Sequence, residues 1–237
     1  MIRAVTFDFW NTIARLPPGA MTEARQRAIA RACAENEVEL EAELLASSLE
    51  DVGLHWEEAW AAGRHLYPRE GAARLVEALG VGEAAQEAVA EAFLGAGREV
   101  PLELAPDIGE ALAALAGRGV RIGIVCDVGF SGGELLRELL AREGLLGYFS
   151  GWSFSDEVGA YKPSAQSFEA ALRALAAEPA EALHVGDLRR TDVAGAAALG
   201  MTTVRYTGMH DDPDVEGGPE AEVVIDSHLD LLGLLDD

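Results

Sequence analysis

The chain has 237 residues, of which 49% are hydrophobic, and it carries a formal net charge of −23 at pH 7. This length suits one large domain or a core with a smaller second domain, and the apolar content can form a substantial core. The negative charge argues against a nucleic-acid-binding surface, which requires clusters of Lys and Arg. It argues equally against binding to an anionic membrane surface.

The cysteines and the N-terminus indicate a cytoplasmic protein. Cys33 and Cys126 have neither metal-ligand nor redox spacing, so a reducing compartment is expected. The apolar N-terminal stretch is interrupted by Asp8 and does not resemble a secretory signal. No apolar run is long enough to cross a membrane.

The first part of the chain is predicted to be one strand followed by four helices. Residues 2–7 (IRAVTF) form a short apolar run typical of a buried strand. Stretches rich in Ala, Glu, Leu and Arg predict helices near 22–35, 41–63, 69–79 and 83–97. Glycine and proline breaks separate them, and no strand pattern is visible between about residues 15 and 104. In the second of these helices, Trp56 and Trp60 are expected to share one face.

From residue 107 onward, helices and strands alternate. Strands are predicted at 120–125, 151–155, 182–186, 202–206 and 221–225, with helices at about 107–117, 133–143, 164–177 and 191–199 between them and a polar loop at 209–220. This alternation is typical of a doubly wound, Rossmann-like α/β fold with a parallel sheet. We therefore expect a core domain formed by residues 1–14 and 105–237, with an inserted four-helix domain at 15–104.

Charged side chains follow the predicted strands at the places where an α/β sheet binds its ligands. Asp8 follows the first strand, Asp127 follows the second, and Asp187 and Asp192 follow the strand at 182–186. Carboxylates gathered at one sheet edge repel each other, and a divalent cation with oxygen ligands, most suitably Mg²⁺, relieves that repulsion. Helix capping is the alternative explanation for a single aspartate, but it does not account for the whole set.

The only lysine, Lys162, falls among these strand-end residues. The other basic residues, apart from histidine, are seventeen arginines. Lysine is a compact ammonium on a flexible stem, whereas arginine is a wide planar fork. A site that needs a small positive charge beside a carboxylate or phosphate would explain why lysine occurs here. Of the five histidines, His184 is expected in the core, and His210 and His228 are expected on the surface.

These residues occur in four segments that resemble the motifs of the haloacid dehalogenase-like hydrolase superfamily, in the subgroup with a helical cap inserted after the first motif. The segments are FDFWNT with Asp8, IVCD with Cys126, YKP with Lys162, and HVGDLRRTDVAGAAALGM with Asp187 and Asp192. The resemblance covers the whole chain. The fourth segment is the most specific, and the order and spacing of all four add to it.

The resemblance implies a chemistry for each position. Asp8 would be the nucleophile that forms an aspartyl-phosphate, and Lys162 would supply a positive charge to Asp8 and to the phosphoryl oxygens. Asp8, the backbone carbonyl of Trp10, Asp187 and Asp192 would hold Mg²⁺. Cys126, Asp127 and Lys162 would form the phosphate-binding side of the site.

Two positions depart from the phosphatase pattern. Trp10 stands where phosphatases of the superfamily have a second aspartate as the general acid and base, and an indole N–H cannot replace that carboxyl. Loss of a general acid or base typically costs ~10²–10⁴-fold in rate, so slow turnover is implied. Cys126 stands where the superfamily has Ser or Thr, and a thiol is a weaker hydrogen-bond donor.

Three functions remain open from the sequence. The first is Mg²⁺-dependent hydrolysis of a small phosphorylated metabolite by a monomer or homodimer. The second is metal-free 2-haloacid dehalogenation, because the dehalogenases also carry an aromatic residue at the position of Trp10. The third is a catalytically weak domain that binds Mg²⁺ and a phosphorylated ligand. The Gly186-Asp187 pair favours a metal site and therefore the first function.

Overall fold

The computed structural model describes residues 1–212 and 218–235, so part of the predicted loop at 209–220 lies outside the described residues. The strands are β1 Ala4–Phe7, β2 Ala14–Arg15, β3 Glu103–Leu104, β4 Arg121–Cys126, β5 Phe149–Phe154, β6 Ala182–Gly186, β7 Thr202–Tyr206 and β8 Val223–Ile225. The α-helices are α1 Ala20–Glu35, α2 Ala42–Ala61, α3 Pro68–Leu79, α4 Glu83–Gly95, α5 Ile108–Gly117, α6 Gly133–Arg142, α7 Ser155–Val158, α8 Ala165–Ala174 and α9 Ala194–Ala198.

Six strands form a parallel sheet in the order β5-β4-β1-β6-β7-β8. The central strand β1 is buried along its whole length and pairs with β4 on one side and β6 on the other. The chain builds the sheet in one direction from β1 to β5 and then in the other from β6 to β8. The sheet has helices on both sides, which confirms the predicted doubly wound α/β class.

Glycines let one helix approach the sheet closely. A Cβ atom on Gly151 of β5 would lie 2.6 Å from Leu175 Cγ, and one on Gly123 of β4 would lie 2.9 Å from Leu175 Cδ1. Leu175 follows α8 and belongs to a buried cluster with Phe168 and Ala171 of that helix. The missing side chains of the two glycines therefore accommodate the end of α8.

The chain divides into two compact units. One comprises Met1–Arg15, Glu103–Asp127 and Leu140–Asp237 and contains the parallel sheet. The other comprises Leu16–Leu102 and Val128–Leu139 and contains α1 to α4.

The helical unit has its own apolar core. Leu75, Val89 and Phe93 are fully or almost fully buried in it, and Phe130 from the segment Val128–Leu139 packs with them. The rings of Trp56 and Trp60 stack with centroids 5.6 Å apart and planes inclined by 14°, which confirms the predicted shared face. The four helices thus have a core independent of the sheet.

The short antiparallel pair β2–β3 was not predicted. Each strand has two residues, with Ala14 opposite Leu104 and Arg15 opposite Glu103. Two residues show no periodicity, so their pairing depends on contacts between distant parts of the chain. Among the described residues, no helix is long and apolar enough to cross a membrane.

Candidate active site

The predicted site residues lie at the carboxyl edge of the parallel sheet. Asp8 follows β1 directly, Asp127 follows Cys126 at the end of β4, and Asp187 follows Gly186 at the end of β6. Because β1 lies between β4 and β6, these three carboxylates follow three adjacent strands. The strand order therefore places them at the usual ligand-binding edge of this fold class.

Lys162 lies between two of the aspartates. Its Nζ donates to Asp8 Oδ1 and to Asp192 Oδ1, both at 2.6 Å. The relative exposure is 5% for Lys162, 6% for Asp8 and 1% for Asp192, so water screens these charges little. The only lysine of the chain is thus the cation that compensates the predicted nucleophile.

Asp192 is held on several sides. Its Oδ1 also contacts His184 Nε2 at 3.0 Å, and its Oδ2 accepts a hydrogen bond from the backbone N–H of Leu188 at 3.1 Å. Gly186 makes room for it, because a Cβ atom on Gly186 would lie 2.2 Å from Asp192 Cγ. Asp192 therefore positions Lys162 and closes the loop that carries Asp187.

The protonation of His184 follows from its surroundings. Burial lowers the pKa of His184, although its hydrogen bond to Asp192 opposes this effect. A neutral imidazole must donate from Nε2 to the carboxylate of Asp192, so Nδ1 accepts from the Thr6 hydroxyl at 2.9 Å. The prediction of a core histidine with satisfied hydrogen bonds is confirmed.

Asp187 is in contact with a histidine that was predicted to be on the surface. His210 Nδ1 lies 2.8 Å from Asp187 Oδ2, and this hydrogen bond raises the pKa of His210. The amide Nδ2 of Asn11 lies 3.5 Å from the same oxygen. Asn11 has a φ of 58°, a left-handed conformation that asparagine tolerates better than most residues. Both contacts were missed from the sequence.

Nearby positive groups only partly balance the negative charge of the site carboxylates. Burial raises the pKa of Asp8 well above its usual range, and Asp192 and Asp187 add to this effect while Lys162 opposes it. Burial also raises the pKa of Asp187, against the opposing hydrogen bond from His210. For Asp192, burial is outweighed by Lys162 and His184, which lower its pKa. Burial therefore favours the protonated forms of Asp8 and Asp187, because neither carboxylate has enough positive charge around it in the protein to offset that effect.

The donor set fits a divalent cation. One carboxylate oxygen from each of Asp8, Asp187 and Asp192 lies within 4.8 Å of the others. Hard oxygen ligands suit Mg²⁺, and a dication would balance the charge left on Asp8 and Asp187. The side chains thus meet the chemical requirement for a metal site.

The remaining predicted residues surround this cluster. Cys126 is buried, and burial together with the nearby Asp8 raises the pKa of its thiol well above the usual value. Asp127 accepts a hydrogen bond from the backbone N–H of Lys162 at 3.0 Å, so its carboxylate helps to hold the lysine segment. The Trp10 ring packs edge-on against Phe9, with ring centroids 4.8 Å apart. No carboxyl group occurs at position 10.

The structure is thus a doubly wound α/β protein with a buried aspartate–lysine site at the carboxyl edge of its sheet. The family model for haloacid dehalogenase-like hydrolases matches residues 2–200, and the chain belongs to this family.

Relatives with assigned activities include phosphatases. The chain is 31% identical to a ribulose-1,5-bisphosphate 5-phosphatase from Halopiger xanaduensis over 73% of this chain and 69% of that protein. It is 37% identical to a glyceraldehyde 3-phosphate phosphatase from Methanopyrus kandleri, but that match spans only 42% of each protein.

Among solved structures, a 2-haloacid dehalogenase from Pseudomonas syringae resembles the chain with a TM-score of 0.73. The match covers 100% of this chain and 99% of that one at 24% sequence identity. At this level of identity, the likeness establishes the fold.

Proposed function

We propose that the protein is a metal-dependent phosphatase that hydrolyses a small phosphate monoester through an aspartyl-phosphate on Asp8. The observation that carries this proposal is the buried Asp8–Lys162–Asp192 arrangement beside Asp187. On one side, the positive charge of Lys162 balances the negative charge of Asp8, the proposed nucleophile. The grouping of the three carboxylates within 4.8 Å supports a cation on the other.

In the proposed first step, a carboxylate oxygen of Asp8 attacks phosphorus, and the bond from phosphorus to the ester oxygen breaks. The leaving alkoxide takes a proton from solvent water, and a second water then attacks the phosphorus of the aspartyl-phosphate, which releases phosphate and restores the carboxylate of Asp8. Lys162 orients Asp8 and offers positive charge to the phosphoryl oxygens. Cys126 and Asp127 form the neighbouring wall of the phosphate site.

Asp8, Asp187 and the backbone carbonyl of Trp10 would hold the metal, with Asp192 in support. When bound, Mg²⁺ supplies charge neutralisation to the nucleophile and the phosphoryl group. Asp192 has hydrogen bonds on both oxygens, so it supports the site mainly by fixing Lys162 and the loop after β6.

The absence of a carboxyl group at position 10 affects the proton transfer. The leaving alcohol needs a proton, and the indole of Trp10 does not titrate near neutral pH. We expect turnover to be slower by about 10²–10⁴-fold than that of an enzyme with a general acid there. The reduction in rate should be smallest for substrates with good leaving groups, because these need no proton to depart.

The relatives support a small substrate. The names of the two phosphatases refer to ribulose-1,5-bisphosphate and glyceraldehyde 3-phosphate, which are short phosphorylated carbonyl compounds. The net charge of −23 disfavours large polyanions. We also propose that the helical unit acts as a cap that selects the substrate.

A second function, dehalogenation of a 2-haloacid by Asp8, is favoured by one observation. Trp10 gives the site an aromatic side chain where phosphatases of the family have a carboxylate. The partly compensated Asp187 beside Asp8 weighs against it, because metal-free attack on carbon does not require that second carboxylate.

Hydrolysis of p-nitrophenyl phosphate tests the proposal. We expect activity with Mg²⁺ that is abolished by EDTA and by Asp8→Asn, while the exposed control Asp230→Asn retains it. Halide release from 2-chloropropionate in the presence of EDTA would instead establish the dehalogenase. Mg²⁺ binding without hydrolysis of any ester in a broad panel would show a binding domain.

A further inference from the structure

A cleft in the helical unit lies between α1 and α2. Its volume is about 480 Å³, and its lining includes Thr22, Arg25 and Gln26 from α1 and Leu49 and Gly53 from α2. The three α1 residues are spaced by three and four positions, so they share one face of the helix. A Cβ atom on Gly53 would meet no atom within 4 Å, so the cleft is open at this point.

Arg25 is the unusual residue of this cleft. Its guanidinium lies over the Phe93 ring at 4.5 Å and near the Phe130 ring at 5.5 Å, and its Nε is enclosed without a hydrogen-bond partner. Within residues 1–212 and 218–235, no hydrogen bond or ion pair reaches this side chain. Burial accordingly lowers the pKa of Arg25 to about 10.

The other arginines of the same helix differ from Arg25. Arg27 pairs with Glu23, and Arg31 pairs with Glu99. Arg25 is half-buried, and its guanidinium lies against two aromatic rings without a carboxylate partner among the described residues, which is a cost that the rings only partly offset. A bound anion would remove that cost.

We propose that this cleft binds a small organic anion, carrying a carboxylate or a phosphate, through the guanidinium of Arg25. The planar guanidinium can hold either group with two parallel hydrogen bonds. The Thr22 hydroxyl and the Gln26 amide lie on the same helix face as additional donors. The aromatic rings fix the plane of the guanidinium.

Two acidic residues restrict the size of the ligand. Glu50 and Glu57 are exposed residues of α2 that also line the cleft. Their charges oppose a polyanion that extends across the opening, whereas a compact anion at Arg25 gains more from the guanidinium than it loses. The ligand is therefore a small molecule with one anionic group in the cleft.

Thermal unfolding of the full chain in EDTA tests the site, with inorganic phosphate and succinate as probes. We expect at least one probe to raise the unfolding temperature of the wild type. Arg25→Met should lose this increase, and its affinity measured by calorimetry should fall about 10- to 100-fold. Arg27→Met, on the same helix, should respond as the wild type does. Gly53→Leu keeps the arginine but fills the cleft, so it should lose the response as well.

The ligand-free variant separates a binding arginine from a structural one. If the role of Arg25 is to bind an anion, Arg25→Met without ligand should unfold at the same temperature as the wild type or at a higher temperature. A large drop in that temperature would show that Arg25 stabilises the apolar core of the helical unit instead of binding an anion. Equal responses of the wild type and Arg25→Met to the probes, or no response of the wild type to either probe, would overturn the proposal.

Kinetics identify the source of the anion. If it is part of the substrate, Arg25→Met should raise KM for 2-phosphoglycolate about 10-fold or more without changing kcat, and leave p-nitrophenyl phosphate unaffected. If the anion is a separate ligand, Arg25→Met should change KM for 2-phosphoglycolate and KM for p-nitrophenyl phosphate by the same factor. The binding measurements use EDTA, so they stand even if no phosphatase activity is found.

Discussion

At the scale of single residues, the site depends on one compact cation among buried carboxylates. Lys162 Nζ is 2.6 Å from an oxygen of Asp8 and 2.6 Å from an oxygen of Asp192. Burial alone would lower the pKa of this lysine, but the two carboxylates outweigh burial and raise its pKa well above the usual value. The ammonium therefore stays charged and holds two side chains that would otherwise repel each other.

Replacement of Lys162 should affect stability as well as activity. Lys162→Met leaves Asp8 and Asp192 buried without their cation, and loss of one partner from a buried pair typically costs about 3–5 kcal/mol. Urea unfolding in EDTA measures the change. Arg173→Met, which removes one partner of an exposed pair with Glu169, should cost less than about 1 kcal/mol. A similar small cost for both variants would contradict the central role of the lysine.

Lys162→Arg tests whether charge alone is sufficient. The guanidinium is wider than the ammonium, so we expect that it cannot make both 2.6 Å contacts in the same geometry. We expect this variant to recover part of the stability lost in Lys162→Met but little activity on p-nitrophenyl phosphate. Full activity would show that a compact cation is not required.

At the scale of secondary structure, most elements follow from local patterns. The four helices of the helical unit begin and end within about two residues of their predicted bounds, because proline and glycine punctuate the sequence between them. The predicted helix at 191–199 is divided into a π-helix at Arg189–Val193 and α9 at Ala194–Ala198. That irregular turn carries Asp192 to Lys162, and no local pattern predicts it.

The glycine in β5 gives a prediction at this scale. Strand propensity alone predicts that valine would stabilise this strand, yet a side chain on Gly151 would collide with Leu175. We expect Gly151→Val to destabilise the protein by about 1–3 kcal/mol in urea unfolding. The exposed neighbour Ser150→Val should change stability by less than about 0.5 kcal/mol. Stabilisation by Gly151→Val would show that α8 can move away from the sheet.

At the scale of the whole molecule, the sequence predicted which residues form the site, but it did not predict some of the side chains that contact them. Asp8, Asp187 and Lys162 could be placed at one edge because parallel strands end together. His210 is 23 residues from Asp187, and its contact depends on the path of a loop after β7. His228 was expected on the surface but is fully buried beside Phe7 and Tyr206. Such contacts depend on tertiary packing rather than on local sequence.

The charge balance of the sheet unit predicts how metal and pH affect stability. The folded-state pKa of Asp8 is raised above its ordinary value of 3.8, so the metal-free folded protein retains a proton that the unfolded chain has released. Asp187 behaves in the same way. For these groups, metal-free stability falls as pH rises above about 4. The pKa of Asp192 is lowered in the folded state, so its contribution to stability is lost as pH falls below its ordinary value of 3.8.

Mg²⁺ should reverse this loss, because a metal held as proposed would bind the deprotonated carboxylates. At a concentration 100 times its dissociation constant, it would add about 2.7 kcal/mol to the free energy of unfolding. The increase should be larger at high pH than at low pH, since protons compete with the metal for Asp8 and Asp187. Asp187→Asn should lose most of this increase, whereas Asp230→Asn should keep it. Calorimetric unfolding with and without Mg²⁺ at several pH values measures the effect, and an increase independent of both Asp187 and pH would place the metal elsewhere.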